Sequence, residues 1–248
     1  METLDSIKIR GLEVHVYQTK SGYRFSLDAL LLADFPEIRG AKSIVELGSG
    51  SGVVSLLLAK KYPRASVVGI EVQQGLFGRA VRSAEYNDLS GRVTFLHMDL
   101  KDTGASLPAE SADLVVMNPP FRRPGTGRIS PGDERANARH ELTAGISDVT
   151  SASARFLRNG GRLCIVHHPE RLVELFECMR ASGIEPKRMR MVHSHTADNA
   201  RIVLVEAVKQ AAPGLKVLPP LFVYERERVY TPEMRAFYGF PAESGPLA

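Results

Sequence analysis

From Ile44 to His167 the chain repeats one pattern: a short run rich in β-branched residues, then a stretch with apolar residues at helical spacing. A strand covered on both faces needs a continuous apolar run, and a parallel neighbour is reached only through a long crossover. The pattern therefore predicts βαβ units and a mostly parallel sheet with helices on both faces. Strands are expected at Ser43–Leu47, Ser66–Glu71, Val93–Met98, Ala112–Met117 and Gly161–His167. Helices are expected over Val53–Tyr62, Gly75–Asp88, Ser147–Arg158 and Glu170–Ser182.

Beyond Gly183 the spacing changes. Met189–His193 and Arg201–Lys209 read as two strands around a polar segment, an antiparallel hairpin at the sheet edge. Ahead of Ile44, Glu13–Tyr17 and Tyr23–Ser26 flank a glycine-containing turn, which predicts a small hairpin, followed by a helix over Leu27–Phe35. The proline-rich tail from Ala211 reads as loop. The expected organisation is an N-terminal hairpin and helix (1–40), a core domain (41–210) and a C-terminal extension (211–248).

The 248 residues are 44% hydrophobic and 24% charged, enough for one covered core and too apolar for disorder. No run reaches the roughly 20 apolar residues of a membrane span, and the start has no basic region followed by an apolar one, so a cytoplasmic protein is expected. Cys164 and Cys178 lack metal-ligand spacing and read as buried thiols; no metal site is expected. A formal charge of +4 permits an anionic partner without requiring one.

Two segments carry chemistry. In Ile44-Val-Glu-Leu-Gly-Ser-Gly-Ser-Gly-Val, a strand runs into glycines that open a helix, letting backbone N–H groups approach a ligand closely. Gly48, Gly50 and Gly52 do not fit the dinucleotide fingerprint, which needs its third glycine where Val53 stands. Glu71 ends the second strand, at about the 20-residue offset where an acid reaches ribose hydroxyls. The second segment, Asn118-Pro119-Pro120-Phe121, closes the fourth strand. Two prolines cannot continue a sheet, so the chain must turn at the carboxyl edge, where open α/β sheets bind ligands. The Asn118 side-chain oxygen and the Pro119 carbonyl offer two acceptors to an –NH2 group, and Phe121 offers a flat face for a base. A plain strand-ending turn is the bland alternative.

On Glu46-x-Gly48-x-Gly50-x-Gly52 the chain resembles the class I S-adenosylmethionine-dependent methyltransferases, a Rossmann-like family. The resemblance implies that the glycine turn holds the methionine part of S-adenosylmethionine, that Glu71 binds the ribose hydroxyls and that Asp99 faces the adenine amine. Asp99 also reads as a turn cap. The tetrapeptide is similar to the motif of adenine N6-, guanine N2- and glutamine-amide methyltransferases. With Tyr23 to Asp34, Ala138 to Glu141, and the tail segments Pro219 to Tyr224 and Tyr230 to Glu233, the likeness narrows to the bacterial tRNA (adenine-N6)-methyltransferases that modify the purine beside the anticodon. It implies a tRNA partner, no obligate protein partner, and Asp28 as a cofactor contact, for which a helix N-cap is the equal alternative.

Arg122, Arg123 and Arg128 open a basic stretch suited to a phosphate backbone, or to solvent. Glutamine methylation of a release factor, duplex DNA methylation and non-catalytic RNA binding remain the alternatives. The first lacks the separate helical domain of its family, and the second a target-recognition domain. The intact glycine turn and Asn118 weigh against the third.

Overall fold

The computed structural model describes residues 2–19, 25–100, 102, 107–119 and 145–241. Strands β1 (Glu2–Ile9) and β2 (Leu12–Thr19) form an antiparallel hairpin and lead to helix α1 (Leu27–Asp34). The core alternates β3 (Ser43–Leu47), α2 (Val53–Lys61), β4 (Ser66–Glu71), α3 (Gln74–Tyr86), β5 (Val93–His97) and β6 (Ala112–Met117). After the undescribed residues come α4 (Ile146–Phe156), β7 (Leu157–His167), a 3-10 turn (Pro169–Arg171), α5 (Leu172–Ala181), β8 (Ile184–His193) and β9 (Ala200–Lys209). The tail holds β10 (Lys216–Val217), β11 (Leu221–Phe222), β12 (Tyr224–Arg226), β13 (Val229–Tyr230) and α6 (Pro232–Tyr238).

Among the described residues the main sheet runs β10-β8-β9-β7-β6-β3-β4-β5, with β11 also paired to β8. Strands β5, β4, β3, β6 and β7 are parallel; β9 runs antiparallel to both β7 and β8. Alternate side chains of each strand enter two cores. Ile44, Leu114 and Val166 pack with α1, α2 and α3, whereas Val45, Val115 and Ile165 pack with α4 and α5. Each fully buried side chain of this size contributes about 1.5–3 kcal/mol, which is why both faces need helices.

Two expectations are corrected. The N-terminal hairpin pairs Glu2–Ile9 with Leu12–Thr19 around Arg10-Gly11, not around the glycine after Tyr17. Both turn residues have positive φ, 47° and 76°, the twist that a two-residue hairpin requires. The outer edge of β2 is closed by α3: Asn87 Oδ1 accepts the His15 N–H at 2.9 Å, and Ser83 Oγ accepts the Tyr17 N–H at 3.0 Å. The tail is not loop. Strands β10 and β11 extend the sheet beside β8, β12 and β13 pair with each other, and Met234 and Phe237 of α6 are buried with α1.

Candidate functional site

The sheet reverses its direction of growth between β3 and β6, so the connections leaving these two strands part and open a crevice at their carboxyl ends. The register sets what faces it. Leu47 lies opposite Met117 and Ile70, which brings Gly48, Asn118 and Glu71 to one edge. Glu71 lies opposite His97, so Asp99 follows at the same edge, and the Glu71 carbonyl accepts the Met98 N–H at 3.1 Å.

Gly48, Gly50 and Gly52 all have positive φ, 70°, 56° and 86°, and they play different parts. A Cβ on Gly48 would meet nothing within 4 Å, whereas one on Gly52 would lie 2.7 Å from the Phe95 ring and 3.1 Å from Ala80. Gly52 is thus a packing glycine at the N-cap of α2, and Gly48 opens onto the crevice. The Gly50 N–H donates to Glu71 Oε2 at 2.7 Å while the Gln73 N–H donates to Oε1 at 2.9 Å, so the β4 carboxylate holds the glycine turn. The hydroxyls of Ser49 and Ser51 are buried with no hydrogen-bond partner among the described residues.

Glu46 is buried on β3, and its Oε2 accepts from the Ser55 N–H at 2.8 Å and the Ser55 hydroxyl at 2.5 Å. Burial pushes its carboxyl up to about 8; the Ser55 hydrogen bonds oppose the shift and the nearby Glu71 adds to it. At neutral pH this acid is mostly protonated. Ser55 was invisible to motif reading because its partner sits nine residues earlier on another element.

Asn118 is half-buried and Pro119 buried at the end of β6. Met117 lies opposite Ile165 of β7, so His167 and His168 flank this turn. Burial depresses His167 to about 4, with the Arg171 charge acting in the same direction, and its Nδ1 accepts the His168 N–H at 2.8 Å. It is a neutral imidazole protonated on Nε2. Ser26, not Asp28, occupies the N-cap of α1, which places Asp28 inside the first turn. Asp28 is raised by burial, opposed by a hydrogen bond from Ser26 and by the charge of His168, which locates the start of α1 beside the end of β7. Pro120, Phe121, Arg122, Arg123 and Arg128 lie outside the described residues, as do Tyr23 and Ala138 to Glu141.

Among the described residues no group of three or more His, Cys, Asp or Glu is arranged to hold a metal ion, and no helix is long and apolar enough to cross a membrane. The crevice has open space at Gly48, the two buried hydroxyls of Ser49 and Ser51 and the Glu71 carboxylate, groups suited to a polar organic ligand.

Curated relatives include the tRNA1(Val) (adenine(37)-N6)-methyltransferase of a Flavobacteriaceae bacterium, 27% identical over 61% of this chain and 62% of the relative. The enzyme of the same name from Dyadobacter fermentans is 23% identical over 90% of this chain and 93% of its own length. Among solved structures, a predicted O-methyltransferase from Agrobacterium tumefaciens superposes with TM-score 0.68 at 25% identity, covering 86% of this chain and 95% of that one. The 16S rRNA N2 G1207 methyltransferase of T. thermophilus, solved with AdoMet and guanosine, gives TM-score 0.58 at 23% identity over 84% of this chain and 51% of that one. Its match shows the fold, a Rossmann-like methyltransferase sheet with an antiparallel edge hairpin. Residues 27–175, which run from α1 through the glycine turn and Asn118 into α5, match the family model of the methyltransferase small domain, and the chain belongs to that family.

Proposed function

We propose that the protein transfers a methyl group from S-adenosylmethionine to N6 of an adenine in the anticodon loop of a tRNA. The observation that carries this reading is the Leu47–Met117 register, which sets the glycine turn beside Asn118 and Pro119. The turn suits the cofactor: open space at Gly48, the Ser49 and Ser51 hydroxyls without partners among the described residues, and Glu71 at the next strand end. Gly48, Gly50 and Gly52 would hold its methionine part, Glu71 its ribose and Asp99 its adenine, with Glu46 beneath the turn and Asp28 at the start of α1. When bound, S-adenosylmethionine supplies a methyl group made electrophilic by its sulfonium.

The acceptor side is the work of Asn118 and Pro119. An adenine amine delocalises its lone pair into the ring and is a poor nucleophile. Two acceptors on its hydrogens, the Asn118 amide oxygen and the Pro119 carbonyl, favour a pyramidal nitrogen and aim its lone pair. Positioning and electrostatics then supply most of the catalysis. Phe121 would stack on the extruded base, and Arg122, Arg123 and Arg128 would follow the phosphates. The names of the relatives support adenine N6 and tRNA, and a tRNA substrate fits a cytoplasmic enzyme.

The test supplies labelled S-adenosylmethionine with total tRNA, ribosomal RNA, DNA and release factors separately, and identifies products by nucleoside and peptide mass spectrometry. N6-methyladenosine confined to tRNA is expected; N5-methylglutamine would overturn the assignment.

A further inference from the structure

The turn between β8 and β9 leaves the sheet at the same carboxyl edge as Asn118, because β8 runs parallel to β7 and β9 antiparallel to both. It is tied to the end of β7: His168 Nδ1 donates to the Arg201 carbonyl at 3.2 Å. The tail is anchored to that edge too. The Val223 and Tyr224 N–H groups donate to the His193 and Ser194 carbonyls, each at 2.9 Å.

This anchoring lines up a row of rings. His195 lies 5.6 Å from Tyr224, Tyr224 stacks on Tyr230 at 5.2 Å and 15°, and Tyr230 stacks on Phe240 at 6.2 Å and 24°. Tyr224 and Tyr230 pack against the core and against each other, whereas the two ends of the row, the His195 side chain at 39% and Phe240 at 50%, leave ring surface exposed. His195 is held in place by Nδ1, 3.0 Å from Asp198 Oδ2. Exposed Arg201, Arg226 and Arg228 surround the row and have no ion pair among the described residues, although Glu225 and Glu227 alternate with the latter two. Local charge is therefore nearly balanced, and attraction to phosphate alone is weak. Stacking is the interaction on offer. Aromatic faces take any base, but only a base released from a duplex can reach them.

We infer that the exposed ends of this row, His195 and Phe240, held in place by Tyr224 and Tyr230, form a second nucleic-acid site, a stacking surface for unpaired RNA bases flanking the acceptor base. The inference rests on the nucleic-acid reading above and adds to it where the rest of the loop lies.

The test uses an RNA hairpin with 2-aminopurine on either side of the target adenine. Binding, 2-aminopurine quenching and methyl transfer are measured for the wild type, for the double variant His195→Ala/Phe240→Ala, and for Tyr224→Leu. The double variant alters exposed rings and spares the tail's core. It should weaken hairpin binding by about tenfold, the size of one lost base–aromatic stack. It should also lose quenching, with unchanged binding of a blunt duplex and unchanged kcat at saturating hairpin. If the double variant keeps wild-type affinity and quenching, the rings are only the core of the tail and the inference fails, whether or not Tyr224→Leu folds. Quenching by a wild type that methylates no RNA would remove the adenine reading and leave the surface standing; a wild type that binds no hairpin overturns both.

Discussion

Replacing Gly48 and Gly52 separately by alanine should damage two different properties. Both backbones are left-handed, at φ 70° and 86°, so each alanine costs about 1–2 kcal/mol of conformational strain. At Gly48 the new methyl meets nothing within 4 Å, and the cost ends there. At Gly52 it falls 2.7 Å from Phe95 Cζ and 3.1 Å from Ala80 Cβ, and both residues are buried. Overpacking adds about 1–3 kcal/mol, for a total of about 2–5 kcal/mol at Gly52. Urea denaturation gives the stabilities, and titration calorimetry gives the affinity for S-adenosylmethionine. Gly52→Ala should be the less stable variant by a clear margin. Gly48→Ala should stay folded and lose most of its cofactor affinity, because its methyl projects into the crevice. Adding Phe95→Leu to Gly52→Ala makes room for the methyl, so the double variant should cost less than the sum of the two singles by about 1–3 kcal/mol. Equal stabilities for the two glycine variants, or unchanged cofactor binding by Gly48→Ala, would refute the division of roles.

Asn118→Ala should lower kcat by about 100-fold or more, the usual loss on removing one positioned polar group from a reacting centre, with cofactor affinity unchanged; loss of cofactor binding would misplace the residue. Glu46 holds its proton in the fold up to about pH 8 and releases it near its ordinary carboxylate value when unfolded. The folded state therefore binds more protons between these limits, and stability falls as pH rises from about 4.5 to 8. Glu46→Gln should flatten that part of the stability profile, and an equally steep profile would show that Glu46 is not its source. Glu206, buried on β9, pairs with Arg162 at 2.5 Å and Arg188 at 3.2 Å. Arg188 also pairs with Glu37 at 3.0 Å and Arg162 is partly exposed, so Glu206→Ala should cost about 1.5–3 kcal/mol, the loss of its charge-assisted hydrogen bonds, and a loss under about 0.5 kcal/mol in denaturant melts would place that network outside the stability of the fold.

The central strands were readable because parallel strands buried on both faces must be nearly all apolar and must end where glycine or proline stops them. Ser43–Leu47, Ser66–Glu71 and Ala112–Met117 agree with the structure to the residue. Strand β7 starts at Leu157 rather than Gly161, since the segment around Gly160 bulges while still pairing with β6. The N-terminal hairpin was misplaced because β1 buries only Ile7 and Ile9 and its turn uses Arg10, a residue that carries no turn signal at positive φ.

The tail shows the limit most clearly. Strands of two residues have no periodicity, and prolines at 219 and 220 argue locally for loop. Only β8, offering an open edge to pair with, makes them strands. The site divides in the same way. Residue types and their order along the chain determined that glycines follow one strand and Asn-Pro another, since those are constraints on φ and on lost N–H donors. The tertiary structure decided that Glu71 clamps Gly50, that burial keeps Glu46 protonated against the opposing Ser55 hydrogen bonds, and that an aromatic row reaches the same edge, because burial and hydrogen bonding depend on which distant elements become neighbours.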